Sequence, residues 1–372
     1  MNDSCKKNNT RLKADKFFDK SFRKFSIFLF ITSVVVSCAH KSKKSESEIT
    51  GASALTSSNT TSSVTGSEDE SPVIKLQDLT SFHVGDADAR DTSTTVSLLE
   101  TVPVEVNPMV EKWIAYFQGK GRPHMERYLS RSSRYMALMK KILRQNGLPE
   151  DIIYIALIES GFASKITSRA AAVGYWQFIR GTGKRYGLEI SSLVDERRDP
   201  VLSTQAAAEY FKGLYSVFGN WYLSMASYNV GENRVKKEMV KHMSRDFWLL
   251  VRKRSLPSET INYVPKFIAA KMIATDPKKY GFEDIDYLPP LEFDSIKVDK
   301  PVNLRNFAEA MNLEYDDIKQ LNPKYKGEIA PVRAGILELK IPVGTQSLAL
   351  AAFQKSTVDR VEFIADAGDT VG

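Results

Sequence analysis

From about residue 103 the apolar positions recur at helical spacing. Met109, Val110, Trp113, Ile114 and Phe117 share one face. Tyr135, Leu138, Met139, Ile142 and Leu143 mark a second helix over 131–146, with Gly147 as its stop. Pro149, Glu150 and Asp151 then open a third. A proline fits the first turn, where an N–H would lack a partner, and acidic groups suit the positive helix end. The body of this helix, 152–158, is apolar nearly all round, which predicts burial, and Gly161 ends it. Further helices are predicted over 202–218, 221–228, 232–241 and 260–275. Past Pro289-Pro290 the period changes. Residues 291–298 alternate like a strand, 304–311 and 316–321 read as short helices, and 336–341 as a second strand. The expected fold class is mainly α: a helical domain over 103–285, then a small α+β module over 286–345.

The segment before the first helix has another character. Residues 40–72 are rich in Ser, Thr, Gly and Lys and cannot bury enough surface to offset chain entropy; 73–102 carry no clear pattern. Together 38–102 read as a flexible tether. Residues 1–37 form a leader, with a basic stretch followed by the apolar run 27–36, too short to span a bilayer but long enough for a secretory signal. Eight Lys/Arg against three Asp give the leader +5 of the chain's net +7. The folded part is left nearly neutral, and nucleic acid is not an expected partner.

Val35-Val36-Ser37-Cys38 resembles a bacterial lipobox, in which cleavage precedes an acylated cysteine; the alternative is an ordinary signal peptide with a chance Cys38. Several acyl chains on Cys38 would anchor the protein to a membrane. Ala39 is not the aspartate associated with inner-membrane retention, so the resemblance implies the periplasmic face of the outer membrane. The only cysteines are Cys5 and Cys38, and His40, His83, His124 and His242 lack ligand spacing, so no disulfide framework, metal or cofactor is expected.

One carboxyl group stands out. Glu159 lies at the end of the apolar helix, just before Gly161. Burial there would disfavour its charged form and raise its pKa, as a general acid requires. A solvated surface glutamate is the alternative, and position alone does not decide between them. Gly181-Thr182-Gly183-Lys184 hints at a phosphate loop but lacks the full spacing and a preceding strand. Arg197-Arg198 and Lys236-Lys237 read as solvated charge pairs.

The text around Glu159 carries more. Ser168, the run Gly174-Tyr175-Trp176-Gln177-Phe178, Thr182-Gly183, Tyr186-Gly187-Leu188, Asp195-Glu196-Arg197-Arg198-Asp199-Pro200, Ala226-Ser227-Tyr228-Asn229-Val230-Gly231-Glu232 and Glu259-Thr260-Ile261-Asn262-Tyr263-Val264-Pro265 follow in order. Over roughly 105–282 this set resembles the family 1 lytic transglycosylases of the membrane-bound D type. The resemblance implies a goose-lysozyme-like helical fold and cleavage of peptidoglycan glycan strands. The reaction would be non-hydrolytic, leaving 1,6-anhydro ends. Most glycosidases need two carboxyl groups. Here the substrate's own 6-hydroxyl is the nucleophile, so one suffices.

By that resemblance Glu159 protonates the glycosidic oxygen and then takes the proton from the 6-hydroxyl. Ser168 would orient the substrate's N-acetyl group, and Gln177 would line the cleft. Tyr228, Asn229 and Tyr263 would stand beside the reacting sugar and the acid. Glu259 would contact substrate; its alternative reading is a helix-capping acid near the first turn of the Thr260 helix. Trp176 and Phe178 read as aromatic core. Leu321-Asn322-Pro323 and Ile341-Pro342-Val343-Gly344 make the second module similar to a divergent LysM unit, with a generic α+β appendage as the alternative. Residues 346–372 read as a linker followed by the opening of another LysM repeat, at Val361-Glu362-Phe363-Ile364 and Gly368-Asp369-Thr370, cut off before its helices. Two other functions fit the same motifs: a muramidase that uses water, and a non-catalytic wall-binding lipoprotein.

Overall fold

The computed structural model describes residues 101–359. The leader, Cys38, nearly all of the tether and the C-terminal LysM-like opening lie outside the described residues.

Among the described residues nine α-helices form the first domain: α1 Pro108–Gln118, α2 Arg122–Gln145, α3 Ile153–Ser160, α4 Arg180–Arg185, α5 Pro200–Phe218, α6 Trp221–Val230, α7 Glu232–His242, α8 Phe247–Arg252 and α9 Ser258–Thr275. Short polar side chains start them where backbone N–H groups would otherwise lack partners. Asn107 Oδ1 accepts from the Met109 and Val110 amides, and Asp199 Oδ1 from those of Val201 and Leu202. Helix α2 begins nine residues before the expected start, with a proline in its first turn. Helices α4 and α8, at six residues each, are too short for their periodicity to show.

Helix α3 is the centre of the domain. Residues Ile153 to Ile158 and Ser160 are all buried, whereas Glu159 is only partly covered. Glycine is required at 161 for two reasons. Its φ of 57° is left-handed, and a Cβ there would stand 2.0 Å from the Tyr128 ring. The domain also starts earlier than 103. Val102 is 1% exposed, and its amide donates to Asp151 Oδ2 at 2.9 Å.

The second module pairs β1 Asp294–Val298 with β4 Leu337–Ile341, and β2 Val302–Asn303 with β3 Ile329–Ala330, both antiparallel. Two helices lie between, α10 Leu304–Ala310 and α11 Tyr315–Leu321. This is the expected β-α-α-β order. The sequence reading missed a further helix, α12 Gln346–Ser356, in the stretch taken for linker. It buries Ala349, Ala352 and Phe353 in the module's core, and its alanine-rich face gives a weak helical pattern.

The two parts share an extensive interface. Val194, from the helical domain, lies in the core of the second module, and Ile142, Val201, Leu291, Phe293 and Leu321 form a cluster joining the two. The Asp195 amide donates to the Lys324 carbonyl at 2.7 Å, and the Lys326 amide to that of Leu193 at 2.8 Å. At the centre Lys340 Nζ meets Asp199 Oδ2 at 2.6 Å, with Asp199 fully buried and Lys340 6% exposed. Burial alone would raise the Asp199 pKa, but Lys340 and Lys324 outweigh it and hold the carboxyl below its ordinary value.

Candidate active site

Glu159 occupies the last turn of α3, where the negative end of the helix dipole opposes a carboxylate. Burial raises its pKa, and the nearby Glu259 adds to the effect. A hydrogen bond from Tyr263 and the charge of Lys266 pull the other way. The net shift is upward, so the group keeps its proton to higher pH than a free glutamate. Tyr263 Oη donates to Glu159 Oε1 at 2.6 Å. Burial, followed by the Glu159 charge, holds the Tyr263 and Tyr228 hydroxyls protonated, well above their usual range. They are donors, not bases.

The expected residues separate into four groups. Tyr263 touches Glu159 directly. Asn229 and Glu259 meet each other: Asn229 accepts from Thr260 Oγ1 at 2.7 Å, and its amide lies 3.4 Å from Glu259 Oε1. Glu259 sits in the first turn of α9 and is exposed, and among the described residues no side-chain hydrogen bond caps that helix. Tyr228 stacks on Phe211 at 4.8 Å and donates its hydroxyl to the Trp176 carbonyl.

Ser168 and Gln177 belong to a small hairpin built on the bridges Thr167–Val173 and Val173–Phe178. Ser168 Oγ accepts from the Ala172 amide at 3.1 Å, and Gln177 Nε2 donates to the Gly174 carbonyl at 2.9 Å. Neither side chain bonds to Glu159. Gln177 has φ 49°, a left-handed conformation that is strained for a side-chain-bearing residue. The hairpin that holds it is clamped from below. Arg197 donates to the carbonyls of Ala171 (3.0 Å) and Phe178 (2.9 Å) and pairs bidentately with Asp195 at 2.8 Å. Gly174 packs so tightly that a Cβ would stand 2.0 Å from the Arg197 carbonyl. Arg197 is therefore buried, at 6% exposure, and not a solvated charge as the sequence suggested. Its neighbour Asp195 supplies the compensating carboxylate, which pair counting along the chain overlooks. Trp176 is fully buried and donates Nε1 to Thr204 Oγ1 at 3.0 Å, and Phe178 is buried too, so both are core as expected.

Sequence reasoning missed Lys266 and the Trp113–Asn262 contact (Nε1 to Oδ1, 3.3 Å). Lys266 follows Tyr263 by three residues, so it shares its helical face, a signal that was available. Glu232, in the first turn of α7, faces Tyr186 and Tyr210 and bonds to neither Glu159 nor Tyr263. Among the described residues no cluster of His, Cys, Asp and Glu could hold a metal.

A raised-pKa carboxyl with a tyrosine donor is suited to giving a proton and taking one back. Residues 136–251 match the family described as "Transglycosylase SLT domain", and 292–349 the family "Lytic transglycosylase MltD, LysM-like domain". The membrane-bound lytic murein transglycosylase D of Escherichia coli K12 is 34% identical over 206 residues, 53% of this chain and 44% of that protein. The peptidoglycan transglycosylase gp16 of Escherichia phage T7 is 32% identical over 136 residues, 36% of this chain and 10% of that one. The solved 70 kDa soluble lytic transglycosylase of Escherichia coli is 25% identical over 48% of this chain and 29% of its own, with a TM-score of 0.35. The chain thus spans less than half the length of the D-type relative it matches. The chain carries a transglycosylase SLT domain followed by the LysM-like domain of D-type lytic transglycosylases, the family its motifs resemble.

Proposed function

We propose that this protein is a lytic transglycosylase that cleaves the MurNAc-β-1,4-GlcNAc bond of peptidoglycan, with Glu159 as general acid and then general base. The observation that carries this reading is the Glu159 carboxyl itself: its pKa is raised by burial, Tyr263 donates to it, and it lies within the SLT match. Protonated, it gives its proton to the glycosidic oxygen as the bond breaks. The carboxylate so formed then removes the proton from the 6-hydroxyl of MurNAc, which closes on its own anomeric carbon. Proton and leaving group balance, and no water enters. Closure is favoured because both reacting atoms belong to one sugar.

Tyr263 holds the carboxyl in place and stabilises its ionised form. Tyr228 and Asn229 border the reacting sugar, Ser168 and Gln177 bind it from the hairpin, and Glu259 contacts substrate. The LysM-like domain extends the glycan-binding surface. Acylation of Cys38 anchors the protein at the periplasmic face of the outer membrane; the lipobox-like sequence supports this. Clearing of purified sacculi tests the role of Glu159. Glu159→Gln should abolish turnover while leaving the melting temperature and circular dichroism intact. Retained clearing by that variant would refute the assignment of Glu159, and no clearing by the wild-type protein would leave only a wall-binding role.

A further inference from the structure

Helix α9 meets the end of α3 at two consecutive groups. Tyr263 reaches the Glu159 carboxyl, and one turn on Lys266 Nζ donates to the Ile158 carbonyl at 2.9 Å. That carbonyl is one of the last four of α3, which have no partner within the helix. An ammonium there also complements the negative helix end. Lys266 is largely enclosed, with the Trp113 ring of α1 centred 6.0 Å from its nitrogen. Among the described residues it forms no direct ion pair. The charged groups facing it are Glu159 and Glu259, both of which favour its charged form against burial. Those facing Glu159 are Tyr263, Lys266 and Glu259 from α9, and Tyr228 from α6.

We propose that Lys266 is a positioning residue for the reaction: it fixes the last turn of α3 and, among the described residues, supplies the one positive charge beside Glu159, which makes the carboxylate form reachable during turnover. This rests on the acid-then-base role of Glu159. Burial, the helix end and Glu259 all favour the neutral acid. A site with those alone would donate a proton readily and then be slow to recover one from the 6-hydroxyl. Lys266 offsets them without accepting a proton itself.

The sign follows. The free enzyme must be protonated at Glu159 to start, so kcat/KM falls as pH rises through the Glu159 pKa. Removing the Lys266 charge raises that pKa and moves the falling limb to higher pH. Lys266→Gln keeps a donor for the Ile158 carbonyl and removes the charge. Lys266→Arg keeps both.

The test is the pH profile of initial rates on soluble peptidoglycan fragments, for the full protein and both variants, with thermal melts alongside. Lys266→Gln should shift the alkaline limb upward, and Lys266→Arg should return it to the wild-type position. Superimposable wild-type and Lys266→Gln profiles would overturn the inference. Should Lys266→Gln melt below the assay temperature, Lys266→Arg decides: an active variant with the wild-type limb supports the inference, and a displaced limb overturns it. Glu159→Gln distinguishes the two levels of the argument. If that variant remains active, the acid-base reading itself fails. If it is dead and the Lys266→Gln limb does not move, only the role of Lys266 fails.

Discussion

Lys340→Met is the sharpest perturbation of the joined architecture. It replaces a buried ammonium with a thioether of similar length and leaves Asp199, which is fully buried, without its 2.6 Å partner. Breaking a buried pair by removing one partner destabilises by about 3–5 kcal/mol, because an uncompensated charge stays inside. Asp199 keeps two amide donors, at Val201 and Leu202, and the nearby charge of Lys324, so the lower end, about 3 kcal/mol, applies. Over the folded residues 101–359, at about 2.1 cal/mol/K per residue, that corresponds to a melting point lower by roughly 5–6 °C. Pairing the change with Asp199→Asn removes the stranded charge and keeps an Oδ1 acceptor for the helix cap. The double variant should therefore be more stable than Lys340→Met alone. Calorimetric melts at neutral pH read both effects. A single variant within 1 °C of wild type, or a double variant no better than the single one, would refute the account of the pair.

Other expectations follow from the same geometry. Tyr263→Phe removes a bond to the ionised acid worth about 1.5–3 kcal/mol, so turnover should fall about tenfold or more, with the alkaline limb displaced upward; an unchanged rate would contradict the contact. Gly161→Ala adds left-handed strain and a clash with Tyr128, and denaturant titration should show a loss of about 2–4 kcal/mol; a neutral substitution would mean the turn differs. Because the folded Asp199 pKa is depressed, its contribution is complete above its ordinary value of 3.8 and is lost as pH falls through the lowered one. Melts across acid pH should show this loss in wild type and a smaller one in the Asp199→Asn/Lys340→Met double variant; equal slopes would exclude the linkage.

Much of this organisation is legible in the chain. The long amphipathic helices are, because a sustained 3.6 period survives any tertiary context, and so is α3, whose run from Ile153 to Ile158 has no polar face. The short α4 and α8 are not, since six residues hold fewer than two turns of pattern. Helix α12 is masked by an alanine-rich face, and β2 and β3 at two residues each carry no alternation to read. The site divides on similar lines. Glu159 and Tyr263 lie 104 residues apart in sequence, so only the resemblance could link them. Arg197 reads as solvated in the sequence because the partners that bury it, Asp195 aside, are carbonyls of a hairpin 19 and 26 residues away. The fusion of the two domains through Asp199 and Lys340 depends on a contact across 141 residues, for which one sequence gives no sign.

The central claim concerns the acceptor: the substrate's own hydroxyl, and not water. Digestion of intact sacculi in water enriched in oxygen-18, followed by mass spectrometry of the muropeptides, tests it directly. Closure by the substrate's own hydroxyl gives 1,6-anhydro ends, lighter than the hydrolysed product by one water and free of the heavy isotope, and Glu159→Gln should give no product at all. Reducing ends carrying oxygen-18 would contradict it and make the protein a muramidase.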